Sequence, residues 1–177
     1  YVKDPIVGMH DWVVSLDLNS LYPHLIMQYN ISSETKINQM QEYGITPNSI
    51  LRDSDVSKDA LKRCKENDYA IAANGTCYSK THQGFLPALM EKMYKERKMY
   101  KKKMIECQKE RQSILKSGAL GGDVSNLLEK KDYEIAKYYN FQQVRKIQLN
   151  SAYGAIGSEW FRYYDVDMAE AITLSGQ

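Results

Sequence analysis

Two sets of residues in this chain have the type and spacing to grip a polyphosphate. Arg97 and Lys101 are four apart, so on a helix both project from one face at neighbouring heights. Lys146, Asn150 and Tyr153 fall at i, i+4 and i+7, again a single helical face. Brought together, three cations and an amide donor would suit a triphosphate, to which arginine offers a planar fork and lysine a point charge. Asp17 stands apart from both sets, at the end of an apolar run. A carboxylate at a strand end can hold Mg²⁺ while water and phosphate oxygens complete the metal's shell. Plainer readings exist for each. In so basic a stretch two cations four apart are ordinary, and a strand-end aspartate can simply cap the helix that follows.

The other reactive residues are scattered. His10, His24 and His82 have no metal-ligand spacing, and Cys64, Cys77 and Cys107 are odd in number with no C-x-x-C pair. That usage argues against a disulfide framework or a zinc site and for a reducing compartment. At 43% hydrophobic and 26% charged residues the composition is that of a soluble protein, and no apolar run approaches the roughly 18 residues of a membrane span. No basic-then-apolar leader opens the sequence. The net charge of +2 conceals a segregation, since residues 92–116 hold ten Lys/Arg against three Glu. Such a run is either a solvated helix face or a surface for a polyanion.

The elements that must carry these residues can be read from periodicity. Residues 12–18 are dense in β-branched and apolar types, with Val13, Ser15 and Asp17 on one side and Val14, Leu16 and Leu18 on the other, which predicts a buried strand. Ser20-Leu21-Tyr22-Pro23 opens a short helix toward Tyr29, with Pro23 tolerated in the first turn. Residues 32–68 read as connective surface with a weak helix over 56–66, and Asn74-Gly75 marks a hairpin between 69–73 and 76–80. Gly84 with Pro87 then punctuates the entry to an amphipathic helix running from Leu86 to about Lys116. A glycine-rich turn at 118–122 leads to a second helix, capped by Asp123 or Ser125 and reaching Gly154. Two long helices so joined should pack antiparallel. Residues 160–164 read as extended, and the chain from Asp167 as helical.

Two motifs connect the parts. Asp17-Leu18-Asn19-Ser20-Leu21-Tyr22-Pro23 resembles the first palm motif of family B DNA polymerases, D-x-x-S-L-Y-P, and Lys146-Ile147-Gln148-Leu149-Asn150-Ser151-Ala152-Tyr153-Gly154 resembles their fingers motif, K-x-x-x-N-S-x-Y-G. They stand in the family's order with Arg97 and Lys101 between them. Val2-Lys3-Asp4-Pro5-Ile6, Asn30-Ile31-Ser32, Asn74-Gly75 and Trp160-Phe161-Arg162-Tyr163-Tyr164-Asp165 extend the likeness over essentially the whole chain, which looks like the replicative polymerases of T-even-type bacteriophages. His24 departs from the serine usual after Tyr-Pro.

The resemblance implies an α+β fold: an incomplete palm, an antiparallel sheet with helices, carrying an antiparallel two-helix fingers hairpin. Residues 1–84 would be palm, 85–153 fingers and 154–177 a return into the palm. It implies that Asp17 and the Leu18 carbonyl ligate Mg²⁺, two ions serving the complete enzyme. Ser20, Leu21 and Tyr22 would line the triphosphate and sugar, with Tyr22 as a steric gate selecting deoxynucleotides. Arg97 and Lys146 would grip the phosphates beside Lys101 and Asn150, while Tyr153 and Gly154 would face the nascent base pair. Lys146 would also act in catalysis.

Implied partners are dNTPs and primer-template DNA, with a sliding clamp and other replication proteins for the full-length protein, in the cytoplasm of an infected bacterial cell and with no membrane. A D-T-D-type hairpin for the second carboxylate is missing, and Asp165-Val166-Asp167 aligns with a non-catalytic stretch, so the chain reads as a fragment inactive by itself. Two rival readings remain. One is a non-catalytic, basic nucleic-acid-binding module; the other is an RNA-making nucleotidyltransferase, disfavoured by Tyr22.

Overall fold

A computed structural model of the chain describes residues 4–37, 48, 58–117 and 122–177; the glycine-rich turn at 118–121 and most of the connective stretch 38–57 lie outside the described residues. The fold is mixed helix and antiparallel sheet. In chain order it comprises α1 (Leu21–Tyr29), β1 (Lys36–Ile37), α2 (Lys58–Glu66), β2 (Tyr69–Ile71), β3 (Cys77–Ser79), α3 (Phe85–Lys116), α4 (Gly122–Ile156) and α5 (Val166–Ser175). The sheet order is β1-β3-β2, with Lys36 opposite Tyr78 and Ala70 opposite Tyr78 on the other side. Gly75 turns the β2–β3 hairpin at φ 84°, a conformation that favours glycine.

The start of α3 is held from outside the helix. Its N-cap, Gly84, has no side chain to offer, so the first backbone N–H groups must find acceptors elsewhere. The segment after α1 supplies them: Asn30 Oδ1 accepts from Gly84 N at 2.9 Å, Glu34 Oε1 from Phe85 N at 2.5 Å and Ser32 Oγ from Leu86 N at 3.4 Å. Pro87 has no donor to satisfy. Asn30 Nδ2 also donates to the carbonyls of Ser79 and His82 at 2.6 and 2.8 Å, so one amide ties α1, β3 and the α3 root together. Glycine is required at 84 for space, because a Cβ there would lie 2.6 Å from Ser32 Cβ.

An apolar core joins this root to the rest of the chain. Leu25 and Ile26 of α1, Ile31, Ala72, Tyr78, Leu86 and Met90 of α3, Leu149 and Ile156 of α4, and Met168, Ala171 and Ile172 of α5 pack together. Lys36 closes one side, donating to Asp165 at 2.8 Å and Asp167 at 2.7 Å, while Asp165 also caps α5 by accepting from Met168 N at 3.1 Å. Both carboxylates of the Asp-Val-Asp triplet are thus engaged in fixing α5. Beyond the core α3 and α4 run side by side as an antiparallel pair laced by Glu96–Arg145 at 2.5 Å, Glu110–Lys131 at 2.7 Å and Arg111–Asp132 at 2.5 Å. From Glu96–Arg145 near the core to the Glu110–Lys131 and Arg111–Asp132 group farther out, α3 advances as α4 recedes, as an antiparallel pair requires. Tyr100 packs on Phe141 within the same seam, ring centres 5.1 Å apart.

Several expectations are corrected. Residues 12–18 form no strand and are not buried, with Trp12 98% and Leu16 92% exposed. Alternating side chains satisfy only half of what a strand needs; the other half is a neighbour for its backbone donors and acceptors, and no strand pairs with this segment among the described residues. The second long helix begins at Gly122 and continues to Ile156, past Gly154, where an added Cβ would meet nothing within 4 Å. Residues 160–164 turn rather than extend, with Phe161 N bonded to Ser158 O and Tyr164 N to Phe161 O, both at 2.9 Å. The last helix starts one residue earlier than expected, at Val166.

Gly84→Ala should destabilise the chain by about 1–3 kcal/mol through overpacking against Ser32, read as a lowered unfolding midpoint. A second prediction concerns pH. Partial burial works against the Glu34 charge, but hydrogen bonds from Ser32 Oγ–H and Phe85 N–H outweigh it and hold this carboxyl below its ordinary value of 4.5. A carboxyl depressed on folding adds stability that is present above its unfolded value and lost as pH falls through the folded one. Acid titration of unfolding should therefore show a loss below about pH 4.5 that is smaller in Glu34→Gln.

Candidate functional site

One cavity, of about 530 Å³, gathers most of the residues whose spacing suggested chemistry: Asp17, Leu18, Asn19, Ser20, Leu21, Tyr22, Pro23, Arg97, Lys146, Asn150 and Tyr153. Three stretches of chain meet there. Residues 17–23 form its floor, because Ser20 takes a left-handed conformation (φ 57°, ψ 46°) that turns the chain sharply into α1. Arg97 comes from α3, and Lys146, Asn150 and Tyr153 come from one face of α4. The rings of Tyr22 and Tyr153 meet across the cavity, 4.8 Å between centres and tilted by 46°.

The charges in this cavity do not neutralise one another. The Asp17 side chain forms no hydrogen bond or ion pair with any described residue, and neither does the Lys146 side chain. The capping role open to Asp17 is therefore not taken; α1 starts at Ser20 without a side-chain cap. Arg97 donates from Nη1 to Ser20 Oγ at 3.2 Å, while its Nε is buried with no partner at all. A buried guanidinium donor without an acceptor is costly. A carboxylate and two cations that share a cavity without pairing fit a ligand that brings both negative charge and a metal ion.

Lys101 is not brought into this cavity. It lies one turn beyond Arg97 on a separate groove of about 410 Å³ with Tyr94, Lys98, Lys102, Ile105, Glu106 and Lys109. The i, i+4 spacing puts both cations on one broad face, but only the residue nearer the α3 root reaches the cavity. Gly154 does not line it either. Asn19 and Pro23 do, and are legible as neighbours within the Asp17–Pro23 motif.

Two further residues position the site and carry no sequence signal. Glu96 and Arg145 immediately precede Arg97 and Lys146, and their partly buried ion pair at 2.5 Å locks the two helices in the register that brings those cations to the same cavity. Arg145 Nη1 also donates to Gln148 at 3.1 Å, which fixes it along α4. The acidic residues of the seam are spent on such pairs, leaving the outward lysines of α3 to form the separate basic groove.

Among the described residues no group of three His, Cys, Asp or Glu could hold a metal, so Asp17 can supply only part of a shell. That fits Mg²⁺, which keeps waters and takes one or two carboxylates with substrate phosphates for the rest. Cys64, Cys77 and Cys107 are free, buried thiols; burial, with Cys64 alongside, pushes the Cys77 thiol up to about 12, so it is no thiolate near neutrality. No described helix is long and apolar enough to cross a membrane.

Fold and cavity together define a mixed helix-and-sheet chain that gathers one carboxylate and two cations in one cavity. The chain belongs to DNA polymerase family B, whose model matches residues 1–118. It is 32% identical over its whole length to the DNA-directed DNA polymerases of Escherichia phage RB69 and Enterobacteria phage T4, and 30% identical to DNA polymerase 1 of Pyrococcus abyssi. It spans 22% of the two phage proteins and 17% of the archaeal one, about a fifth of their length. In structure it is similar to the family B DNA polymerase of Pyrobaculum calidifontis, with a TM-score of 0.55 at 20% identity over 88% of this chain and 15% of that one. The likeness to T-even phage polymerases read from the motifs agrees with these matches, as does the α+β fold.

Disrupting the seam pair should be reversible. Glu96→Gln and Arg145→Gln should each lower the unfolding midpoint, and a double-mutant cycle should return a coupling of about 1 kcal/mol, partly restored by the charge-reversed pair Glu96→Arg/Arg145→Glu.

Proposed function

We propose that this chain is the nucleotide-binding part of a DNA-directed DNA polymerase, which adds dNTPs to a primer 3′-hydroxyl under the direction of a template. The observation that carries this reading is the unpaired Arg97 Nε in a cavity where Asp17 and Lys146 also lack partners. Family membership supports it independently. In the same reading the sheet with α1 and α5 is palm and the α3–α4 pair is the fingers hairpin.

The triphosphate lies between Arg97 and Lys146, with Asn150 beside them and the Ser20–Tyr22 turn beneath. The Asp17 carboxylate and the Leu18 carbonyl would hold Mg²⁺, which would supply neutralisation of charge on the entering and departing oxygens. The primer hydroxyl attacks the α-phosphate and pyrophosphate leaves. Such transfer relies on positioning and charge neutralisation, so Lys146 acts twice: it grips the triphosphate and, as pyrophosphate departs, neutralises its charge or donates a proton to it. Tyr22, seated against Tyr153, is a wall under the sugar that leaves no room for a 2′-hydroxyl. Among the described residues Asp17 is the only carboxylate lining the cavity, and we place the carboxylate for a second ion elsewhere in the polymerase.

The basic groove of α3 favours a second reading, contact with a nucleic-acid backbone. That reading needs no Asp17 and leaves the cavity unused, whereas a polymerase can employ both.

In a polymerase carrying this chain, Lys146→Ala should slow incorporation by about 10–100-fold, the loss of one or more charge-assisted hydrogen bonds, while primer-template affinity changes by no more than about threefold. Equal losses in both would refute the role of Lys146. Tyr22→Ala should raise ribonucleotide incorporation relative to deoxyribonucleotide in the same assay; unchanged selectivity would remove the gate.

A further inference from the structure

His24 lies next to the cavity without lining it, and three observations give it a part in shaping the floor. Ser20 is a non-glycine residue held at φ 57° and ψ 46°, a conformation that strains an L-residue and persists only where its surroundings enforce it. No side-chain cap enforces it, since Ser20 makes no capping bond to α1. The Ser20 carbonyl instead receives two donors from one residue, the His24 backbone N–H at 3.1 Å and His24 Nδ1 at 2.9 Å. A carbonyl only accepts, so Nδ1 bears the proton in this contact.

The imidazole is also braced from the far side. Its edge meets the ring of Tyr94 at 4.7 Å and 82°, and Tyr94 precedes Arg97 by one turn of α3. Arg97 in turn donates to Ser20 Oγ at 3.2 Å. Ser20, His24, Tyr94 and Arg97 therefore form a closed circuit linking the floor of the cavity to the helix that supplies its buried cation. The ring orients Nδ1, Nδ1 fixes the Ser20 carbonyl, and the fixed backbone presents the Ser20 hydroxyl to Arg97.

We propose that His24 is a positioning residue for triphosphate binding: its Nδ1–H holds Ser20 in the left-handed conformation that places the Ser20 hydroxyl against Arg97. This deepens the reading given under Proposed function and rests on it, since Ser20 and Arg97 matter to a ligand only if the cavity takes a triphosphate. The residue touches no ligand itself. Its effect must appear in binding and must depend on how strained Ser20 is.

The test is titration of a polymerase carrying this chain, bound to primer-template DNA, with dATP in Ca²⁺, which supports binding without turnover, alongside thermal unfolding of each variant. His24→Phe keeps a ring against Tyr94 and deletes the donor; it should weaken dATP binding about fivefold, one hydrogen bond's worth, with an unfolding midpoint close to that of the wild type. His24→Asn retains a donor in the place of Nδ1 and should stay within about twofold. In a Ser20→Gly background the left-handed conformation carries no penalty and there is no hydroxyl left to place, so adding His24→Phe should cost no more than about twofold beyond Ser20→Gly alone. Should His24→Phe not fold, His24→Ala carries the same comparison. The proposal is overturned if His24→Phe binds dATP as the wild type does, or if it loses as much in the Ser20→Gly background as in the wild-type one. If the wild-type polymerase binds dATP no differently when Arg97 is replaced by Ala, the nucleotide reading of the cavity itself fails and this inference falls with it; an effect at Arg97 with none at His24 removes the inference alone.

Discussion

The ion pair between Glu96 and Arg145 is the constraint on which the site depends. Two long helices with an alternation of charges along their seam could slide by a turn and still pair most of their side chains. What prevents this is a set of opposed charges whose positions rise on one helix and fall on the other, and the member nearest the core is partly buried. Because Arg97 and Lys146 each follow a member of that pair by one residue, fixing the pair fixes the cations. A slip of one turn, about 5.4 Å, would leave Arg97 facing a different part of α4.

Register along the seam is useful only if α3 itself is anchored. That anchoring comes from Asn30, Ser32 and Glu34, which accept the first donors of a helix whose cap is a glycine. The same segment follows directly on α1, whose opposite end makes the floor of the cavity. Floor and helix root are therefore joined by the nine residues of α1 and a few beyond it, and the core of Leu25, Ile26, Leu86 and Met90 makes that joint rigid. The distance from Ser20 to Arg97 in sequence is long, but the mechanical path is short.

The long helices, their antiparallel packing and the hairpin at Asn74-Gly75 are legible in the sequence because each depends on local periodicity or on a single turn. So is most of the cavity: spacing alone puts Lys146, Asn150 and Tyr153 on one helical face, and the resemblance carried by the two motifs adds Asp17, Tyr22 and Arg97. Residues 12–18 mislead for a physical reason: side-chain alternation says which faces a strand would have, whereas pairing decides whether it exists, and pairing is not written locally. Lys101 falls outside the cavity because helical spacing assigns a face but not how far along it a neighbour reaches. Glu96, Arg145 and His24 give no signal of their roles, which arise only when distant segments meet. Asn30 stands out within Asn30-Ile31-Ser32 without a role, because its partners, Gly84 and the Ser79 and His82 carbonyls, lie some fifty residues away.

The central claim is that the carboxylate on the floor and the cations of the two helices serve one ligand. A crystal structure of the chain soaked with dATP and Mn²⁺, the metal located by its anomalous signal, tests it most directly. The account predicts manganese on Asp17 and the triphosphate between Arg97 and Lys146. A triphosphate bound instead along the Lys98–Lys109 groove, with Asp17 bare, would contradict it.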